Sequence, residues 1–480
     1  MTQTALDKLR SCILSDDQKI AIGSILFICL MAGGLVGLFF GGLGPVLALA
    51  VIGVAGIAYL VTRSIQWSIL ALIAQIILLP YAALPFKIIF TPTFLNVLLG
   101  MLFGVWVLRI ITGKETTFIA TPVGIPIFAF LAWTTVTFIA GLAHSPLTHN
   151  VLRNFAEVIL AVSLFFVMVN QIKDATKLER ISLIFLVAGF IAALLGIMFY
   201  MMPETLTIPI LSKLGMFGYP TNNILHYIED NPENPMRAIS TSIDPNAFGG
   251  LLVILMIIAV AYLFASKPIM PRFYLVVITG TIALALYLTF SRGSMVGVVV
   301  ALTAMSLLRY RKLLLYMAII ALLFLILPQT QMYVTRFIEG LQGNDLATQM
   351  RFGEYKDAMI LISRYPLMGV GFTGTPDIDI YVGVSNLYLL IAGHTGVVGL
   401  GLFLIVNIVF FITVFQRWQH MPHGHYLETP LLGYTLAIFG AMVGGIFDHF
   451  FFNIQFTHLV SLYWIVMGLS MATVEFEHTM

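Results

Sequence analysis

Charge is what this 480-residue chain has least of. Asp, Glu, Lys and Arg together make up 10% of it, against 60% hydrophobic residues, and the mean hydropathy is +0.99. A soluble core has no use for so much apolar surface, so a lipid bilayer must take it up. The net charge of +2 leaves no basic footprint for nucleic acid. Cysteine is nearly absent: Cys12 and Cys29 lie in or beside the first apolar run, so neither a disulfide nor a thiolate metal site is expected. No Gly-x4-Gly-Lys-Ser/Thr loop occurs, which argues against ATP-driven work. His420, His423 and His425 are closely spaced, but they read as a solvated turn rather than a metal site. No metal or cofactor is expected. The first apolar run, beginning near Ile20, is expected to remain as a span, because no small-residue cleavage pattern follows it.

What the chain does have is a succession of apolar runs near the 17–25 residues that a helix needs to cross a bilayer. They fall near 20–41, 43–62, 66–80, 93–111, 122–142, 155–171, 181–202, 246–265, 272–290, 294–308, 313–328, 386–416, 430–448 and 456–473, predicting an all-α polytopic protein with about fourteen transmembrane helices. Turns between them carry breakers such as Gly41-Gly42-Leu43-Gly44-Pro45. Orientation follows from the basic residues. With the N-terminus inside, Lys8, Arg10, Lys19, Arg309, Arg311 and Lys312 fall on the same side as most of the 24 lysines and arginines. Both termini are therefore expected to be cytoplasmic. Residues 1–480 form one membrane domain, with extracytoplasmic loops at 203–245 and 329–385.

The second of these loops is a polar island carrying Arg336, Arg351, Lys356 and Arg364. Within it, residues 346–363 read as an interfacial amphipathic helix, with Phe352, Tyr355, Met359 and Ile362 forming an apolar stripe at spacings of three and four. Such a helix presents Arg351 just above the bilayer, where a lipid-linked phosphate sits. The competing reading is an Arg351/Glu354 surface pair, worth little. Arginine suits diphosphate because its planar fork donates two hydrogen bonds and keeps its charge. Arg292, in Thr289-Phe290-Ser291-Arg292-Gly293-Ser294, stands at the end of a span, where an ionisable group faces a cavity or partner by default, or else snorkels. Asp244-Pro245 has the form of a helix N-cap followed by Pro at the first position, which is a sufficient structural explanation. The same helix start also stands where it can line a site. Arg237, Asp244, Asn246 and Tyr355 are candidate walls of a polar vestibule, with Tyr219, Asn222, Asn223 and Tyr227 in the preceding loop. His144, His149, His394 and the Asp448-His449 pair fall outside the membrane; spacing singles out none of these histidines as a base.

Four features in order resemble the O-antigen ligase/O-antigen polymerase superfamily of bacterial inner-membrane glycosyltransferases. They are Asp244-Pro245-Asn246, Ser291-Arg292-Gly293, Arg351 followed by Tyr365-Pro366-Leu367-Met368-Gly369-Val370-Gly371, and Ser385-Asn386 with Gly396 and Gly399 beyond. The resemblance covers roughly residues 240–400. It implies a GT-C-like helical fold and a metal-independent reaction at the periplasmic face, with a glycan on undecaprenyl diphosphate as donor. It implies that Arg292 and Arg351 bind the diphosphate, and Arg364 in the same loop is a further candidate. Ligases of the superfamily carry a base in the motif His-Asn-x9-Gly-x-x-Gly. Here Ser385 holds the histidine position, while Asn386, Gly396 and Gly399 keep the register. Serine is no base at neutral pH without a neighbour, so Ser385 and Asn386 are catalytic candidates alongside His394, with Asp377 and Asp379 nearby. The broken ligase motif favours a polymerase that adds the growing chain to the next lipid-linked repeat unit, with a chain-length regulator as a further partner. The alternatives are a ligase acting on lipid A core or protein, and, from another class, a lipid-linked oligosaccharide flippase.

Overall fold

The computed structural model describes residues 64–84, 91–375 and 383–476, all but Ser64 of which belong to the compact unit Ile65–Met480. The expected spans 20–41 and 43–62, Cys12, Cys29, Asp377 and Asp379 lie outside the described residues. Each of the other expected spans coincides with a helix. In chain order the helices are α1 (Ile65–Leu78), α2 (Phe94–Ile111), α3 (Gly124–Gly141), α4 (His149–Gln171), α5 (Ala175–Met201), α6 (Glu204–Lys213), α7 (Pro245–Phe264), α8 (Arg272–Leu288), α9 (Arg292–Leu308), α10 (Arg311–Ile326), α11 (Gln331–Gln342), α12 (Leu346–Arg364), α13 (Leu387–His420), α14 (Glu428–Gly444) and α15 (Thr457–Glu475).

Among the described residues seven helices are long and apolar enough to cross a membrane, or eight if α10 and the α11–α12 pair, bent by 94°, count as one broken span. This is fewer than the sequence pattern suggests. α8 and α9 have 17 residues each, about 26 Å at 1.5 Å per residue, somewhat less than a hydrocarbon core of about 30 Å. The stretch 203–245, expected as a loop, holds α6 and a two-stranded antiparallel pair, β1 (His226–Tyr227) with β2 (Met236–Arg237). It is pinned to the helices by an apolar cluster of Phe199, Leu211, Ile224 and Ile239.

Helices dominate because a backbone in hydrocarbon must satisfy its own N–H and C=O groups. α15 lies at the centre, buried along its whole apolar length, with α4 and α14 against it. Polar side chains inside the bundle pair across helices. Ser182 Oγ lies 2.7 Å from Tyr262 Oη and 2.6 Å from Tyr434 Oη. Thr435 and Ser470 meet at 2.8 Å, and Tyr463 Oη donates to Asn407 Oδ1. Such bonds fix helix rotation where apolar contact alone distinguishes poorly between neighbours and lipid.

α13 is broken at Gly396, whose φ of 69° lies in the left-handed region. The segment Pro366–Gly371 fills the break. Val397 N–H donates to Pro366 C=O at 2.8 Å, Val370 N–H to Gly393 C=O at 2.9 Å and Gly371 N–H to His394 C=O at 3.0 Å. Trp133 Nε1 donates to Thr395 C=O at 2.8 Å. Backbone groups released by the break thus find partners inside the protein. A Cβ on Gly396 would lie 2.0 Å from Leu367 O, and one on Gly369 (φ 65°) 2.4 Å from Gly393 O. The glycines of the Pro366–Gly371 and Gly396 motifs are therefore there for backbone-on-backbone packing.

Gly396→Ala combines left-handed strain with a backbone clash and should cost about 3 kcal/mol, seen as a clearly lowered thermal midpoint of the detergent-purified protein. Gly401→Ala, in the same helix with nothing within 4 Å of the added methyl, should leave that midpoint unchanged or slightly raised.

Candidate functional site

α7, α9 and the first leg of α13 all begin, and α14 ends, at one end of the bundle, and their terminal residues converge there. The α7 start has the geometry its sequence predicts: Asp244 Oδ1 accepts the N–H groups of Asn246 and Ala247 at 2.8 and 2.7 Å, with Pro245 in the first turn. Ile243 just before it and Phe290 just before Ser291 both hold positive φ, 64° and 54°. A β-branched residue there is strained, at a cost of roughly 1–3 kcal/mol that the surrounding packing must override. Phe290 is held by a stacked contact with Tyr333 of α11, 4.8 Å between centroids.

Arg292 opens α9, and both terminal nitrogens of its guanidinium are bonded. Nη1 donates to Arg336 C=O at 2.7 Å, and Nη2 donates to Asp345 in an ion pair whose carboxylate side chain is 1% exposed. Gly340 makes room, since a Cβ there would lie 2.2 Å from Arg292 Nη1. Burial works against ionising Asp345, but the hydrogen bonds from Arg292 and Thr348 and the Arg292 charge hold its carboxyl below the usual carboxylate range. Arg336 in turn faces Glu229 at 3.9 Å. Arg292 thus ties the α11–α12 connection down onto the bundle.

Arg351 differs. It lies half-buried on α12, and among the described residues it closes no ion pair and donates no hydrogen bond. Its expected partner Glu354 is engaged elsewhere, accepting the Ser385 N–H at 2.8 Å. Tyr355 Oη donates to Ser385 C=O at 3.2 Å. Asn386 caps the first leg of α13, its Oδ1 accepting from Tyr388 and Leu389 N–H, both at 2.9 Å, while its Nδ2 donates to Ile446 C=O at 2.8 Å. Ser385-Asn386 is therefore clamped between α12 and the turn after α14. The buried face of α12 is Ala358 and Leu361, and Phe352 and Met359 of the expected stripe are exposed.

The turn after α14 brings in Asp448 and His449. Asp448 Oδ1 accepts the His449 N–H at 2.9 Å, and its side chain remains 17% exposed. Burial pushes its carboxyl up to about 7; the charge of Arg351 opposes this and Asp244 adds to it. His449 is pushed below its ordinary value by burial, and Asn453 Nδ2 lies 3.3 Å from its Nδ1. Arg237 completes the wall, donating from Nε to Thr289 C=O at 2.8 Å and from Nη2 to Asn246.

Of the residues picked out from sequence, Arg237, Asp244, Asn246, Arg292, Arg351, Tyr355, Ser385 and Asn386 share this end of the bundle. Arg364 does not join them. It ends α12, thirteen residues after Arg351, about 20 Å along the helix at 1.5 Å per residue. His394 is bound into the packing of the broken helix: its ring stacks on Phe372 at 4.8 Å and its Nδ1 lies 2.5 Å from Gly371 O. Sequence reasoning gave no role to Asp345 and weighed His449 of the last turn but not Asp448. The available signal was acidic residues in the outer turns of a chain with only 22 of them.

A multi-helix membrane protein with guanidinium and carboxyl groups gathered at one bundle end is the class this defines. Residues 273–404 match the family model described as O-Antigen ligase. The match covers 132 of the chain's 480 residues and falls where its motifs resemble the superfamily. The match runs from α8 into α13 and includes Arg292, Asp345, Arg351, Ser385 and Asn386, while Asp448 lies beyond it. No curated protein matches the chain.

Asp345→Asn should destabilise the protein by about 3 kcal/mol at neutral pH by leaving Arg292 without its counter-charge. A carboxyl held low contributes stability above its unfolded pKa near 4, lost as pH falls through the folded value. Thermal midpoints measured from pH 7 to pH 3 should therefore fall less steeply for Asp345→Asn than for the wild type.

Proposed function

We propose that this protein is a polysaccharide polymerase of the bacterial inner membrane, transferring a glycan from undecaprenyl diphosphate onto the next lipid-linked repeat unit at the periplasmic face. The observation that carries this reading is Arg351, which closes no ion pair among the described residues, beside the clamped Ser385-Asn386 turn, inside the matched segment. A glycosyl donor on diphosphate leaves with the bonding electron pair, and a preplaced guanidinium stabilises the charge as it develops. Among the described residues at this end of the bundle, Arg351 is the guanidinium with donors to spare. Arg292 and Arg336 set the local potential while holding α11 and α12 in place. The diphosphate site and α12 occupy the interface, with the exposed apolar faces of α8 and α10 in lipid beside them. The reaction draws on no ATP and no metal, and its partners are the lipid-linked donor and acceptor, the bilayer and a chain-length regulator.

The second reading, a ligase, has in its favour the description of the matched family. Ser385 at the position of the ligase histidine weighs against it. A strain lacking this protein discriminates. Loss of a polymerase leaves single repeat units at the surface, loss of a ligase leaves unattached polymer, and loss of a flippase leaves neither.

In the complemented strain, Arg351→Ala should lower polymer formation at least about 100-fold, the scale of losing one transition-state charge donor, with Arg351→Lys recovering part of it. Normal polymer length and amount from Arg351→Ala would sink the diphosphate assignment.

A further inference from the structure

We propose that Asp448 is the general base that takes the proton from the acceptor hydroxyl, the role left open by Ser385; this rests on the glycosyl-transfer reading above. Among the described residues, Asp244, Asp345, Glu354 and Asp448 and the imidazole of His449 stand at this end of the bundle near Arg351, and their commitments separate them. Asp345 is spent on Arg292 and is 1% exposed. Glu354 accepts the Ser385 N–H, and Asp244 accepts two backbone N–H groups as the α7 cap. Asn453 Nδ2 donates to His449 Nδ1, which leaves the ring proton on Nε2 and no free acceptor nitrogen. Asp448 accepts one short bond, from the N–H of the next residue, so its carboxylate holds no other element of the site in place, and its side chain is 17% exposed.

Its place is fixed by the same turn that holds Ser385. Asn386 Nδ2 and Tyr355 Oη both reach Ile446 C=O, at 2.8 and 3.4 Å, and Leu387 N–H reaches Gly445 C=O at 2.7 Å. Two residues on, Asp448 lies close enough to Arg351, Asp244 and Arg237 to feel the charge of each. A hydroxyl approaching the anomeric carbon of a donor held at Arg351 therefore comes in beside the Asp448 carboxylate. The acceptor oxygen forms the new C–O bond and its proton passes to Asp448. The bond from the anomeric carbon to the diphosphate oxygen breaks, and the diphosphate departs with the electron pair. A single displacement of this kind inverts the anomeric centre. Charges on the facing elements that tune the base are Arg237 and Asp244 before and at the start of α7, Arg351 and Glu354 on α12, and His449 beside it.

The test uses full-length protein in lipid vesicles with the lipid-linked repeat unit, extracted from a strain lacking the protein, as both donor and acceptor. Wild-type transfer should rise with pH on a limb at or above about 7, the value of the empty site, as Asp448 loses its proton. Asp448→Asn should lower the rate at least about 100-fold, with retention of the lipid-linked unit within threefold of wild type and no acid limb. Asp448→Glu should keep measurable transfer and an acid limb, and His449→Gln should stay within about tenfold. Adding Ser385→His to Asp448→Asn should recover at least tenfold, by restoring a base at the turn the two residues share. An Asp448→Asn rate and pH profile equal to wild type, or a lost rate in which Asp448→Glu is equally dead and neither variant retains the substrate, overturns the assignment. If wild-type protein makes no polymer from the lipid-linked unit, the function proposed above fails instead.

Discussion

The break in α13 at Gly396 is the constraint on which the rest of the site depends. A continuous helix would carry Ser385-Asn386 straight out along the bundle axis. Breaking it inside the bundle releases backbone groups that cannot be left unpaired, and the segment Pro366–Gly371 and Trp133 take them up. That segment must then run against α13, which fixes where α12 ends and which face of it meets the bundle. With α12 placed, Glu354 and Tyr355 reach the Ser385 backbone and Arg351 stands one turn further along. The position of one charged side chain thus follows from a backbone contact too tight for any residue but glycine.

The arginines at this end divide by what they are bonded to. Arg292 is matched by a buried carboxylate and a main-chain carbonyl, and Arg237 by Thr289 C=O and Asn246. Removing one partner of such a pair leaves a poorly solvated charge, which is why these residues govern structure first. Arg351 has no such partner among the described residues. In a site for an anion, the guanidinium without a counter-charge is the one whose hydrogen-bonding capacity is available to a ligand. Strain at Ile243 and Phe290, directly before Asp244 and Ser291-Arg292, fits the same division, with the backbone held off its preferred angles where charged side chains must be aimed.

Much of the fold was legible in the sequence, because apolar run length and the Asp244-Pro245 cap are local signals. Each expected span among the described residues is a helix, and Asp244 caps as its type and position suggest. Burial was not legible. α10 and α15 are both apolar throughout, yet Leu313 is the one buried residue of α10 while α15 is buried along its length, since lipid and protein core make the same demand on a side chain. The pairings that build the site were not legible either. Arg292 meets Asp345 across 53 positions, and Asn386 meets the Ile446 carbonyl across 60. No periodicity connects such partners. The Glu354/Arg351 spacing of three suggested a pair, but the Ser385 N–H, brought in by the α13 break, is a stronger claimant for that carboxylate.

The electrostatics of Arg351 and Asp448 also carry a consequence for the order of events. The charge of Arg351 stabilises the ionised Asp448 and so weakens it as a base. A diphosphate bound to Arg351 would offset that charge and add negative charge of its own, and the proton affinity of Asp448 would rise. On the reading proposed here, a donor in place makes the base stronger at the moment an acceptor needs deprotonating, while an empty site leaves it weaker. The linkage runs both ways: protonating Asp448 removes a negative charge near the diphosphate, so acidic conditions should favour donor retention even as they slow transfer. The acid limb then belongs to the chemical step and not to donor binding, which is the distinction a structural role for Asp448 would not produce.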